Sequence, residues 1–119
     1  MRIALRVAAA LMAIFFVYAA VVQLNDPDPV RWIAIYVAAL GCSVGCAFSW
    51  RVRALSVATA VAGAAWAVWW WTILAKLPQF GKIPWIEIEE ARELGGLLIV
   101  TTWTALLAAI GDARVARPE

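Results

Sequence analysis

The fold class this sequence predicts is an all-α membrane protein, a four-transmembrane-helix up-down antiparallel bundle, and three observations predict it. The chain is 66% hydrophobic and 15% charged over 119 residues, whereas soluble domains average roughly half and a quarter. One domain of this length has too little interior to hide so much apolar surface from water, so lipid must cover it. Four apolar segments are long enough to cross a bilayer, at about 1.5 Å of rise per residue and a hydrocarbon core of about 30 Å. The connections after the first two are short, which forces antiparallel neighbours.

The whole of 1–119 reads as one integral membrane domain, with spans at 7–24, 32–50, 54–77 and 88–110. The last is continuously apolar only from residue 94, and its helix is expected to begin earlier, within IEIEEARE, because a helix entering from water can carry polar residues in its first turns. The first span has a rival reading. Arg2, Arg6, an apolar stretch and Tyr18-Ala19-Ala20 resemble a secretory signal. The apolar run is longer than a usual signal core, however, and Gln23 to Asp28 make a poor mature start, so an uncleaved helix is expected.

Orientation follows from loop arginines and lysines. With both termini cytoplasmic, the inner side holds six, Arg2, Arg6, Arg51, Arg53, Arg114 and Arg117, and the outer side four, Arg31, Lys76, Lys82 and Arg92. Acids divide more sharply: Asp26, Asp28, Glu87, Glu89, Glu90 and Glu93 fall outside, against Asp112 and Glu119 inside. The tryptophans fit the same layout. Trp50 abuts the inner Arg51, Trp32 and Trp85 flank the outer surface, and WAVWWW places Trp66, Trp69, Trp70 and Trp71 toward the outer end of span three. An interfacial aromatic belt accounts for these, with a ligand-stacking wall as the alternative. Trp103 sits mid-span, where its indole N–H needs a partner, and Thr101, Thr102 and Thr104 around it suggest a packed, inward position.

Small residues suggest how the spans associate. Gly41 and Gly45 form a GxxxG extended by Cys42, Ser43 and Cys46, and Ala60, Gly63, Ala64 and Ala67 recur at helical spacing in span three. Such faces let backbones approach closely, within the chain or toward a second copy or another membrane protein. Cys42 and Cys46, four apart on one helix, suit a disulfide poorly and read as packing residues.

Several functions are excluded by composition. A net charge of +2 with no basic cluster among aromatics argues against nucleic acid. The sequence has no histidine, which removes the commonest general base and transition-metal ligand, and it carries no haem, zinc or nucleotide motif. What remains is the interruption QLNDPDPVRW after span one and EIEEARELGG at the entrance to span four. The topology puts both on one side of the membrane, and helices one and four of an up-down bundle are usually neighbours, so the two stretches are expected to meet.

Each stretch also has a purely structural reading. Asp28-Pro29 suits a helix start, with aspartate as N-cap and proline at N1. Asn25-Asp26-Pro27 reads as the turn that ends helix one. Glu87, Glu89 and Glu90 complement the positive end of helix four, and Arg92 can pair with Glu89 at a spacing of three. That reading strains at Glu93, which shares a stripe with Glu89, Gly96, Val100 and Trp103. Like charges three and four apart repel, and a carboxylate at a membrane boundary facing protein points to function. Gln23, Asn25, Asp26, Glu89, Glu90 and Glu93 offer oxygen ligands, which suit magnesium, calcium or manganese. If a metal binds, Asp26, Glu89 and Glu93 are its expected ligands, and an organic cation or a basic partner segment suits the same surface.

MAIFFVYAAVVQLNDPDPVRWIAIY, followed downstream by EEARELGGLLIVTTW, resembles the transmembrane protein 220 family. The matching positions are Gln23, Asn25, Asp26, Pro27, Asp28, Trp32, Tyr36, Glu89, Glu90, Arg92, Glu93 and Gly96, at both ends and over about half of the chain. The resemblance implies a small multi-pass membrane protein of a family without an assigned biochemical activity. It implies that the first segment stays as a helix and that the two polar motifs belong to one pattern. It adds Trp32, Tyr36 and Arg92 to the candidate pocket.

Four functions compete. The first is a non-enzymatic membrane protein whose outward acidic pocket binds a cation or cationic group. The second is a structural or assembly partner in a membrane complex. A transporter subunit would need an oligomer built on the GxxxG face. An intramembrane enzyme would use Glu93 or Asp26 as acid–base, but no nucleophile–base pair accompanies them.

Overall fold

The computed structural model describes residues 2–26, 28–48 and 51–116, the backbone alone at 2 and 111–116. Pro27, Trp50, Arg117 and Glu119 lie outside the described residues, as do the side chains of Arg2, Asp112 and Arg114. Four helices carry the chain, α1 (Arg2–Val22), α2 (Pro29–Ala47), α3 (Arg53–Leu74) and α4 (Glu89–Ala116). Each is long and apolar enough to cross a membrane.

Local sequence explains the boundaries. The last turn of α1 tightens into a 3-10 helix, Gln23–Asn25, and Asp26 then turns extended, as a residue before proline must. Pro29 stands at the first turn of α2 with Asp28 before it. The expected N-cap bond is not made: the Asp28 carboxylate pairs with Arg31 at 3.0 Å instead, and its backbone N–H is held by Asp26 Oδ1 at 2.9 Å. Span three stops at Leu74, three residues short of the expected end. Pro78 disfavours helix at the residue before it, and Lys76 and Leu77 make short turn bonds to Ile73 and Leu74. The chain then turns through Gly81, whose φ of 82° suits a residue without a side chain, and a 3-10 turn at Trp85–Glu87 leads into α4.

Cross-helix contacts give the packing. Arg6 of α1 donates to the Ala47 carbonyl near the end of α2 at 2.8 Å, while Phe16 meets Tyr36 at 6.3 Å between ring centroids, so these helices run antiparallel. α3 and α4 pair antiparallel through Gly63 against Thr101 and Trp70 against Glu90. The sequence made helices one and four neighbours, and here the structure differs. Among the described residues the backbone of α1 comes close to α2 alone, whereas α2 comes close to both α3 and α4; Ala9 of α1 and Leu107 of α4 still share one buried cluster. Two hairpins therefore join through α2, the most enclosed span, in a rod of 54 × 24 × 23 Å.

The GxxxG serves this junction. A Cβ at Gly45 would overlap Val52 just before α3, while one at Gly41 would make an ordinary 3.5 Å contact with Leu55. Gly63 and Ala67 face inward, whereas Ala64 is exposed. Cys42 and Cys46 are buried among Ala9 and Leu107 and form no disulfide.

Candidate functional site

The main core cluster, with Phe16, Trp32, Tyr36, Trp70, Leu74, Leu97 and Val100, underlies the end of the bundle that carries both polar motifs. On top of it the turn after α1 meets the first turns of α4. Asp26, Glu89 and Glu93 each present a carboxylate oxygen, and the three lie within 4.8 Å of one another. The two motifs meet through the turn at Asp26 and the first turns of α4.

Glu93 is half-buried one turn below the exposed Glu89. Glu89, Asp26 and Glu90 all act on it with like charge, and the cation within reach of it is Arg31. Beneath it stands Tyr36, buried on α2 and close enough to feel the charge of Glu93. A Cβ at residue 96 would overlap the Tyr36 hydroxyl, so Gly96 is what admits the phenol there. Carboxylates this close repel, and a cation, an ammonium group or a shared proton relieves them.

The other candidates stand nearby without joining the trio. Gln23 is half-buried in the 3-10 turn, where its carbonyl accepts the Asp26 N–H at 2.9 Å. Asn25 is exposed. The backbone carbonyl of Glu90 accepts the Trp70 indole N–H at 3.1 Å, and Glu90 lines a groove with Gln79, Ile83, Glu87, Ile88 and Glu89. Arg92, expected on Glu89, donates instead to the Ile86 carbonyl and ties the preceding loop to α4.

The tryptophans split. Trp69, Trp71 and Trp85 are exposed, as a belt requires, but Trp32 and Trp70 are buried. Trp66 is partly buried and packs on Trp32 at 4.5 Å. Trp103 turns inward, and its indole donates to Ser43 Oγ at 2.9 Å. Sequence reasoning missed two residues. Arg31, counted only as a loop charge, sits over the rings of Trp32, Trp66 and Trp70. Ser43 was read as a small packing residue. The signal for Ser43 was periodic: Tyr36, Ala39 and Ser43 mark one buried face of α2.

Four membrane-length helices with one polar end assembled from two distant motifs define a small multi-pass integral membrane protein. Residues 15–109 match the family model for Transmembrane family 220, helix, and the chain belongs to that family. The match takes in both polar motifs and the span between them. No solved structure matches the chain.

Proposed function

We propose that the protein is a non-enzymatic membrane protein whose polar mouth binds a cation through Asp26, Glu89 and Glu93. One observation carries the reading: these carboxylates, from two separate motifs, come within 4.8 Å of one another. Hard divalent cations take carboxylate oxygens, calcium at about 2.3–2.6 Å and magnesium at about 2.0–2.1 Å. Three carboxylate oxygens within 4.8 Å of one another suit a single hard cation once small side-chain movements draw them in to coordination distance. Gln23, Asn25 and Glu90 border the mouth and can hold water or a side of a larger cationic group.

The transporter reading would use the Gly41/Gly45 face for an oligomer, but Val52 and Leu55 already lie against that face. The test is a thermal-unfolding series on the detergent-solubilised protein. Calcium, magnesium or manganese should raise Tm, and Glu93→Gln should abolish the gain. If none of the three ions shifts the wild-type Tm, the metal reading fails.

A further inference from the structure

Beside the carboxylates lies a second arrangement built for positive charge. Trp32 of α2 and Trp66 of α3 lie 4.5 Å apart between ring centroids at an interplanar angle of 31°. Trp70 stands across Trp32 at 82° with a centroid distance of 5.5 Å. The Arg31 guanidinium carbon is 5.7 Å from the centroids of Trp32 and Trp66 and 5.4 Å from that of Trp70. The rings are firmly set: Trp32 is fully buried, and Trp70 is pinned by the Glu90 carbonyl. The Trp66 indole N–H is buried and has no acceptor among the described residues.

The occupant is held less firmly than the walls. The Arg31 side chain is 41% exposed, and its ion-pair partner, Asp28, is 61% exposed; such pairs are screened and weak. Besides this pair and the nearby Glu93 charge, the guanidinium is held by the attraction of a cation to several indole rings, an attraction that other small organic cations also feel.

From this we infer that Trp32, Trp66 and Trp70 form a subsite for a small organic cation, a guanidinium or alkylammonium group, with Arg31 as its tethered occupant. An incoming cation exchanges with the Arg31 side chain, which swings toward solvent. The recognising groups are indole rings; Arg31 also feels the Glu93 charge, so the test includes a Glu93 variant that separates this inference from the carboxylate site.

The experiment titrates tetramethylammonium into the detergent-solubilised full chain and follows the 15N-labelled indole resonances. Arg31→Ala should bind at least about tenfold more tightly than wild type, since it removes a tethered competitor held by several such contacts. Saturable shifts should appear at Trp66 and Trp70, and Trp66→Leu in the Arg31→Ala background should abolish them. Equal affinity in wild type and Arg31→Ala, or no saturable shift in either, overturns the inference. Arg31→Gln is the second variant. If both substitutions unfold the protein, Arg31 is a structural post and the exchange is refuted. Glu93→Gln should leave tetramethylammonium binding in place while removing any divalent-cation effect. Loss of both assigns the organic cation to the carboxylates and overturns the cage.

Discussion

An indole N–H in the middle of a bilayer has no water to bond, so Trp103 needs a partner within the protein. Ser43 supplies it: its hydroxyl accepts from Trp103 at 2.9 Å while donating to the Ala39 carbonyl at 2.9 Å, which leaves both polar groups satisfied. Ser43→Ala should therefore cost about 1–2 kcal/mol, the range expected for stranding a buried donor in a membrane protein. Unfolding in mixed micelles measures this. In a Trp103→Phe background the same substitution should cost much less, because no donor is left to strand; equal costs in both backgrounds would mean the bond contributes nothing. That Trp103 requires a partner was legible from its position in span four. The choice of Ser43, sixty residues earlier, was not, because it depends on how α2 and α4 face each other.

At the scale of the helices, α2 is the element that organises the rest. It packs on α1 along one side and on α3 and α4 along the other, and its small residues set how closely α3 approaches. Gly41 and Gly45 look equivalent in a GxxxG, yet only Gly45 lies where a Cβ would overlap the start of the next helix. Valine at 52 is stiff about χ1 and gives way poorly. Gly45→Ala should lose about 1–3 kcal/mol from overpacking, outweighing the gain of about 1 kcal/mol from better helix propensity. Gly41→Ala should be neutral or slightly stabilising by the same propensity. Thermal unfolding of the two variants side by side reads the difference. Equal effects would show that the α2–α3 approach is not set at Gly45.

For the whole molecule, we propose that both termini face the cytoplasm, a reading supported by the even number of spans and the arginine bias of the sequence. A fluorescent reporter that matures only in the cytoplasm, fused after residue 119, is expected to light up; a dark fusion together with an active periplasmic-type reporter would reverse the orientation. That reversal would move the acidic mouth to the inner face and change which cations reach it. The lopsided packing also matters at this scale. With the backbone of α1 close to α2 alone, most of its apolar surface, including Leu11, Ile14 and Tyr18, is exposed along the rod, the surface that lipid covers in this fold.

By itself the sequence determined that this is a helical membrane protein and roughly where its helices lie, and it placed two acidic motifs at the same end. Those conclusions rest on hydropathy, charge and helix-breaking residues, which act locally along the chain and do not depend on distant contacts. Which tryptophans turn inward and that Arg31 sits among them were decided by tertiary structure. So was the meeting of Asp26 with Glu89 and Glu93 across helices whose backbones do not come close. Each of these turns on helix rotation and interhelical distance, which are set by Gly45, Gly63 and Gly96 meeting particular side chains on other segments.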